Sequence, residues 1–112
     1  MDLDFCDLEG GVAGIAANSN STIVAGLDVL DQDPLFANSG GGDFSLSAGS
    51  PCIDSGNDAA LASDTLDIDG DGDVLEVVPL DLAGQARELD DPGTADTGLG
   101  NAPITDMGAL EK

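Results

Sequence analysis

Four carboxylates alternate through Asp67-Ile68-Asp69-Gly70-Asp71-Gly72-Asp73. A hard cation such as calcium wants six to eight oxygen ligands, and glycines set between acids let the backbone curl until such oxygens converge. With Asp67 as position 1 of a calcium loop, Asp69 and Asp71 take ligand positions 3 and 5, and Gly72 takes the sharp turn at position 6. Asp73 then stands at position 7, where the backbone carbonyl serves. Position 12, which carries a bidentate Glu in an EF-hand, is Val78, and no helical periodicity flanks the loop. Another residue has to complete the shell. Glu76 is nearest, Asp81 is next if the segment 74–80 folds back, and Asp64 is a more distant choice. Calcium suits this oxygen set better than magnesium with its strict octahedron, and zinc has neither a histidine nor two neighbouring cysteines to hold it. The competing reading is a solvated acidic turn, which the mutual repulsion of the four carboxylates works against.

Short extended elements must position this loop. Leu3 and Phe5 alternate with acids and stop at Gly10-Gly11, as a half-buried strand would. Thr22-Ile23-Val24 is a β-branched run after the turn-rich Asn18-Ser19-Asn20-Ser21. Asp43-Phe44-Ser45-Leu46-Ser47 alternates cleanly after a triple glycine. Val74 to Leu82 is the longest extended candidate, broken at Pro79, and Ile104 to Leu110 is another short strand. Helix signals reduce to Ala59-Ala60-Leu61-Ala62, with Asn57 or Asp58 as its cap. Sixteen glycines and five prolines among such runs predict an all-β architecture of short strands and many turns.

The 112 residues make one domain at most, with 23 acidic side chains against Arg87 and Lys112, no histidine, and a formal net charge of -21. Such a surface repels phosphate backbones and anionic lipid, so nucleic acid is excluded as a partner and cations are favoured. No stretch approaches the ~20 apolar residues of a membrane span, and the first residues are acidic where a secretory signal would be basic and then apolar. Acidity with only three aromatics also points towards disorder of the metal-free chain, against which stands a hydrophobic fraction of 41% in short runs. Cys6 and Cys52 either close a loop of about 46 residues, worth about 4 kcal/mol, or are two small buried hydrophobes, the preferred reading.

Other constellations carry less chemistry. Asp2, Asp4, Asp7 and Glu9 have the types for a second cation site or a glycosidase pair, but alternating acids on a strand make a solvated face. Asp28, Asp31 and Asp33 form an acidic turn, and Asp90-Asp91-Pro92-Gly93 another. Ser50 and Ser55 have no histidine to activate them, and Arg87 is expected in a structural salt bridge.

Several phrases occur in a telling order: Cys6-Asp7-Leu8-Glu9-Gly10-Gly11, Asp33-Pro34-Leu35-Phe36, Asp43-Phe44-Ser45-Leu46 leading into Gly49-Ser50-Pro51-Cys52-Ile53-Asp54-Ser55-Gly56, and Thr105-Asp106-Met107-Gly108-Ala109-Leu110-Glu111. Together they resemble the C-terminal region of bacterial secreted and surface right-handed parallel β-helix proteins of the choice-of-anchor Q type. In that group an aromatic stands where this chain has Leu110, and a sorting or anchoring signal usually follows. The resemblance implies that residues 1–30 are the last coil of a parallel β-helix and that 31–112 are a capping module containing the loop 67–73. It also implies an extracellular or cell-surface location.

The expected function is thus that of a non-enzymatic, calcium-binding structural module capping such a protein, in adhesion or matrix contact. Its expected metal residues are Asp67, Asp69, Asp71, Asp73, Glu76 and Asp81. The alternatives are a self-assembling subunit of an extracellular calcium-dependent β-filament, built through open β-edges or upstream coils, and the non-catalytic end of a polysaccharide-active β-helix enzyme.

Overall fold

Extended runs in this chain are cut short by residues with positive φ, among them Phe5 (φ 46), Gly10 (φ 81), Asp28 (φ 47) and Leu35 (φ 54). Each turns the backbone after two to four residues, so strands nucleate but do not propagate. The computed structural model describes residues 1–17 and 19–112; the Asn18 end of the expected turn at 18–21 lies outside them. Six strands result: β1 (Asp2–Leu3), β2 (Cys6–Asp7), β3 (Val24–Ala25), β4 (Val29–Leu30), β5 (Phe36–Asn38) and β6 (Asp43–Leu46).

They form three two-stranded sheets. β1 pairs with β3 and β2 with β4, both parallel, across the long connection that parallel pairing requires. β5 and β6 form an irregular antiparallel hairpin, on which Phe36 and Phe44 meet edge to face with ring centroids 5.4 Å apart. One-turn 3₁₀ helices occur at Val12–Gly14, Ser39–Gly41 and Asp58–Ala60. The last is capped as expected, with Asn57 Oδ1 accepting the Ala59 N–H at 3.0 Å.

This arrangement overturns the expected fold class. The sheets are small, each of two strands, and none closes, so neither an all-β architecture nor the terminal coil of a β-helix is present. Each parallel pair is only two residues long and stands in its own two-stranded sheet, so no continuous coil face is built. The expected strands at Val74 to Leu82 and Ile104 to Leu110 are also missing; only the isolated bridges Ser63↔Val77 and Leu80↔Ala86 mark the former.

The centre is made instead by two irregular segments, 50–56 and 104–107, laced together by Gly56 N–H to Thr105 O (2.8 Å) and Met107 N–H to Cys52 O (2.8 Å). Leu46, Cys52 and Ile53 are buried there with Met107 against them, and Ile104 is buried nearby. Among the described residues these four apolar ones are buried, against seven polar ones: Ser50, Asp54, Ser55, Asp64, Asp81, Thr105 and Asp106. Hydrogen bonds therefore carry an unusual share of the interior. The approach of chain 97–99 to this centre is close enough to demand glycine: a Cβ on Gly98 would collide with Gly56 O and Ile104 Cγ2.

Candidate metal centre

The acidic loop is a run of side-chain-to-backbone turns. Asp69 Oδ1 accepts from Asp71 N–H (3.2 Å), Asp71 Oδ1 from Asp73 N–H (2.7 Å), and Asp73 Oδ1 from Leu75 N–H (2.9 Å). These two-residue reaches are what Asp favours in turns. Asp67 Oδ1 spans the whole curl to the Gly72 N–H at 3.1 Å. Gly72 sits at φ 90, a conformation that a side chain would strain.

A short antiparallel contact supplies what the loop lacks. The bridge Ser63↔Val77 is flanked by Asp64 N–H to Glu76 O and Val78 N–H to Ala62 O, both 2.8 Å. It carries Glu76 back beside Asp64, so that two overlapping groups form: Asp67, Asp69 and Asp71, and Asp64, Asp69 and Glu76. Within each group one carboxylate oxygen per residue lies within 4.8 Å of the others. Asp64 is 1% exposed and is tied to the loop by accepting the Ile68 N–H at 2.8 Å. Glu76 Oε1 is fully covered and has no hydrogen-bond partner. Desolvation, and then the charges of Asp71, Asp69, Asp73 and Asp64, push the Glu76 carboxyl above its ordinary range. Five carboxylates thus converge with no cationic side chain among them, an arrangement that a hard divalent cation can satisfy.

Two of the expected metal residues are not members of these side-chain groups. Asp73, expected to serve through its backbone carbonyl, is exposed, with its carboxylate accepting the Leu75 N–H. Asp81 serves a different purpose: Oδ1 accepts from Ala83 and Gln85 N–H, and Oδ2 from Glu111 N–H, at 2.8 to 3.0 Å. Burial pushes its carboxyl up, but the N–H groups of Glu111, Gln85, Ala83 and Gly84 outweigh it and hold it below the usual range. Asp64, by contrast, was ranked as distant in sequence and is central here. Only its pairing across the Ser63↔Val77 bridge, which no local pattern announces, places it.

Asp81 belongs to a structural network around Glu111. The Glu111 carboxylate, whose side chain is fully buried, accepts from Thr105 Oγ1 (3.0 Å) and Asp106 N–H (3.1 Å) and pairs with Arg87 Nη1 at 3.4 Å. Arg87 Nη2 also donates to Gly108 O at 2.8 Å, so the expected salt bridge exists. Burial first, then the neighbouring carboxylate, pushes Glu111 up to about 7 and Asp106 up to about 6.

An open groove of about 810 Å³ lies between the chain start and centre, lined in part by Phe5, Cys6, Asp7, Phe36, Cys52 and Met107. Cys6 and Cys52 are both free thiols. Cys52 Sγ donates to Asp7 Oδ2 at 3.4 Å, and burial together with that carboxylate pushes the thiol up to about 11. It is therefore protonated and unreactive at neutral pH. Asp4 and Asp7 accept backbone N–H groups of Leu27 and Gln32, and among the described residues the acids of 2–9 form no metal-sized group. Nor, among those residues, is any helix long and apolar enough to cross a membrane.

Compared with protein-family models, with curated proteins and with solved structures, the chain gives no match.

Proposed function

We propose that this chain is a non-catalytic structural module whose fold is held by calcium bound in the segment 64–76. The observation that carries this is the covered, unpartnered Oε1 of Glu76, on a carboxylate grouped with those of Asp64 and Asp69. A carboxylate so placed is costly without a counter-ion. A carboxylate-rich loop with backbone carbonyls to hand suits calcium, which takes six to eight oxygens in flexible geometry, better than magnesium with its strict octahedron. A non-enzymatic role agrees with the absence of histidine, the protonated Cys52 and the commitment of Arg87 to Glu111. An extracellular or cell-surface setting fits a static site of this kind, since calcium modules outside cells work at high free calcium.

Thermal unfolding tests the reading. At free calcium about 100 times the dissociation constant the native state gains about 2.7 kcal/mol, or roughly 10 °C in Tm for a chain of this size. Substituting Asp69→Asn and Asp71→Asn together removes the share of the gain that an ion in the loop supplies. A double variant that keeps the whole gain would exclude this loop as the site.

A second reading rests on the two parallel strand pairs, each with open outer edges among the described residues. Such edges template association, so copies joining edge to edge would build a calcium-dependent β-filament. Light scattering coupled to size exclusion, with and without calcium, decides it; a monomeric mass in both conditions rules it out.

A further inference from the structure

We propose that Asp54, Asp90 and Asp96 form a second divalent-cation site, separate in every residue from the 64–76 loop. Asp54 lies at the centre of the molecule, 0% exposed, and neither of its carboxylate oxygens has a hydrogen-bond partner. Its backbone is fixed on both sides: the N–H donates to Asp106 Oδ1 at 2.8 Å, and the C=O accepts from Thr97 (2.9 Å) and Gly98 (3.0 Å) N–H. The bare carboxylate is thus held in place rather than free to turn outward.

The chain does not answer it with a cation of its own. Arg87 is engaged by Glu111 and Gly108 O, and Lys112 is paired with Asp91 at 3.8 Å. What converges on Asp54 is more negative charge: Asp90 and Asp96 each bring a carboxylate oxygen to within 4.8 Å of it and of one another. The turn between them keeps them there. Thr94 N–H bonds Asp91 O at 2.8 Å, and Gly93 N–H bonds Asp91 Oδ1 at 3.0 Å, which also directs the Asp91 carboxylate to the turn itself.

Burial pushes the Asp54 carboxyl above its ordinary range. The Asp91 N–H, close by but outside hydrogen-bonding geometry, works the other way, and the charges of Asp96, Asp90 and Asp91 push it further up. A hard divalent ion answers all three carboxylates at once, and calcium is the natural candidate for an all-oxygen set. Bound there, it would clasp the loop 90–98 onto the central segment 50–56.

Calorimetric titration of chelator-stripped protein with calcium chloride tests this, using variants whose folds are checked by NMR dispersion. The wild type should bind two calcium ions, and Asp69→Asn/Asp71→Asn should keep one. Asp96→Asn, an exposed position that leaves the buried centre intact, should keep the loop ion and bind the other at least tenfold more weakly. One ion that survives the loop substitutions and is lost in Asp96→Asn would support this site and count against the loop. Overturning results are a loop variant that binds no calcium, or a folded Asp96→Asn with wild-type stoichiometry and affinities, as a shared proton on Asp54 would give.

Discussion

Replacing Glu111 by glutamine should change how stability depends on pH. The Glu111 side chain is fully buried, and its carboxyl titrates at about 7 in the folded protein against 4.5 ordinarily. Asp106, whose N–H it accepts, titrates at about 6 against 3.8. Both groups hold their protons more tightly folded than unfolded, so the stability they contribute is complete below about pH 4 and is lost as pH rises through 6 to 7. At 1.36 kcal/mol per pKa unit, Glu111 alone corresponds to about 3 kcal/mol. Because the two acids interact and titrate as a pair, about 3 kcal/mol for both is the safer figure. Urea unfolding of metal-free protein at pH 4.5 and 7.5 should therefore show the wild-type midpoint falling by roughly 1–2 M, given a typical m-value. Glu111→Gln should start lower at pH 4.5, since its amide turns a donor towards the Asp106 N–H, at a cost of about 1 kcal/mol. It should then fall much less on the way to pH 7.5. The remaining acids of this chain give both proteins the same background slope, so the difference isolates the network. Equal slopes in the two proteins would refute the reasoning.

Further outcomes follow from the same geometry. Asp81→Asn should cost about 2–3 kcal/mol in urea unfolding, because an amide cannot accept from Ala83, Gln85 and Glu111 together, while leaving calcium affinity unchanged within twofold. Its pH signature is opposite to that of Glu111: the Asp81 carboxyl is held down, so its contribution disappears as pH falls below the usual carboxylate range. Gly98→Ala should destabilise by more than 3 kcal/mol through its collision with Gly56 O and Ile104, read as a lower urea midpoint. In alkylation followed by mass spectrometry at pH 8, half-buried Cys6 should react well before Cys52, whose thiol is pushed up to about 11; equal rates would contradict the buried placement.

The acidic loop was legible in the sequence because its information is local. Alternating Asp residues with Gly72 at the curl specify their own turns, and the same holds for Asn57 capping the 3₁₀ turn at 58–60. What depended on distant pairing was not legible. Asp64 joins Glu76 through a single bridge, and Asp54 meets Asp90 and Asp96 across three segments that no local pattern links. Asp81 was a candidate only if the segment 74–80 folded back over the loop, and three backbone N–H groups use its oxygens. The β-helix expectation failed for a related reason. β-branched runs announce extended backbone, but positive-φ residues such as Phe5 and Asp28 turn the chain within a few residues, so the strands stay too short to build a coil face.

The predominance of polar groups in the centre has a calorimetric consequence. Exposing apolar surface raises the heat capacity on unfolding, and exposing polar surface lowers it. With four apolar and seven polar residues buried among those described, the two contributions offset each other more than in an ordinary domain. The heat-capacity change should fall well below the roughly 1.5 kcal/mol/K typical of this length. A small value flattens the curve of stability against temperature, so chilling weakens this protein far less than one held together by hydrocarbon.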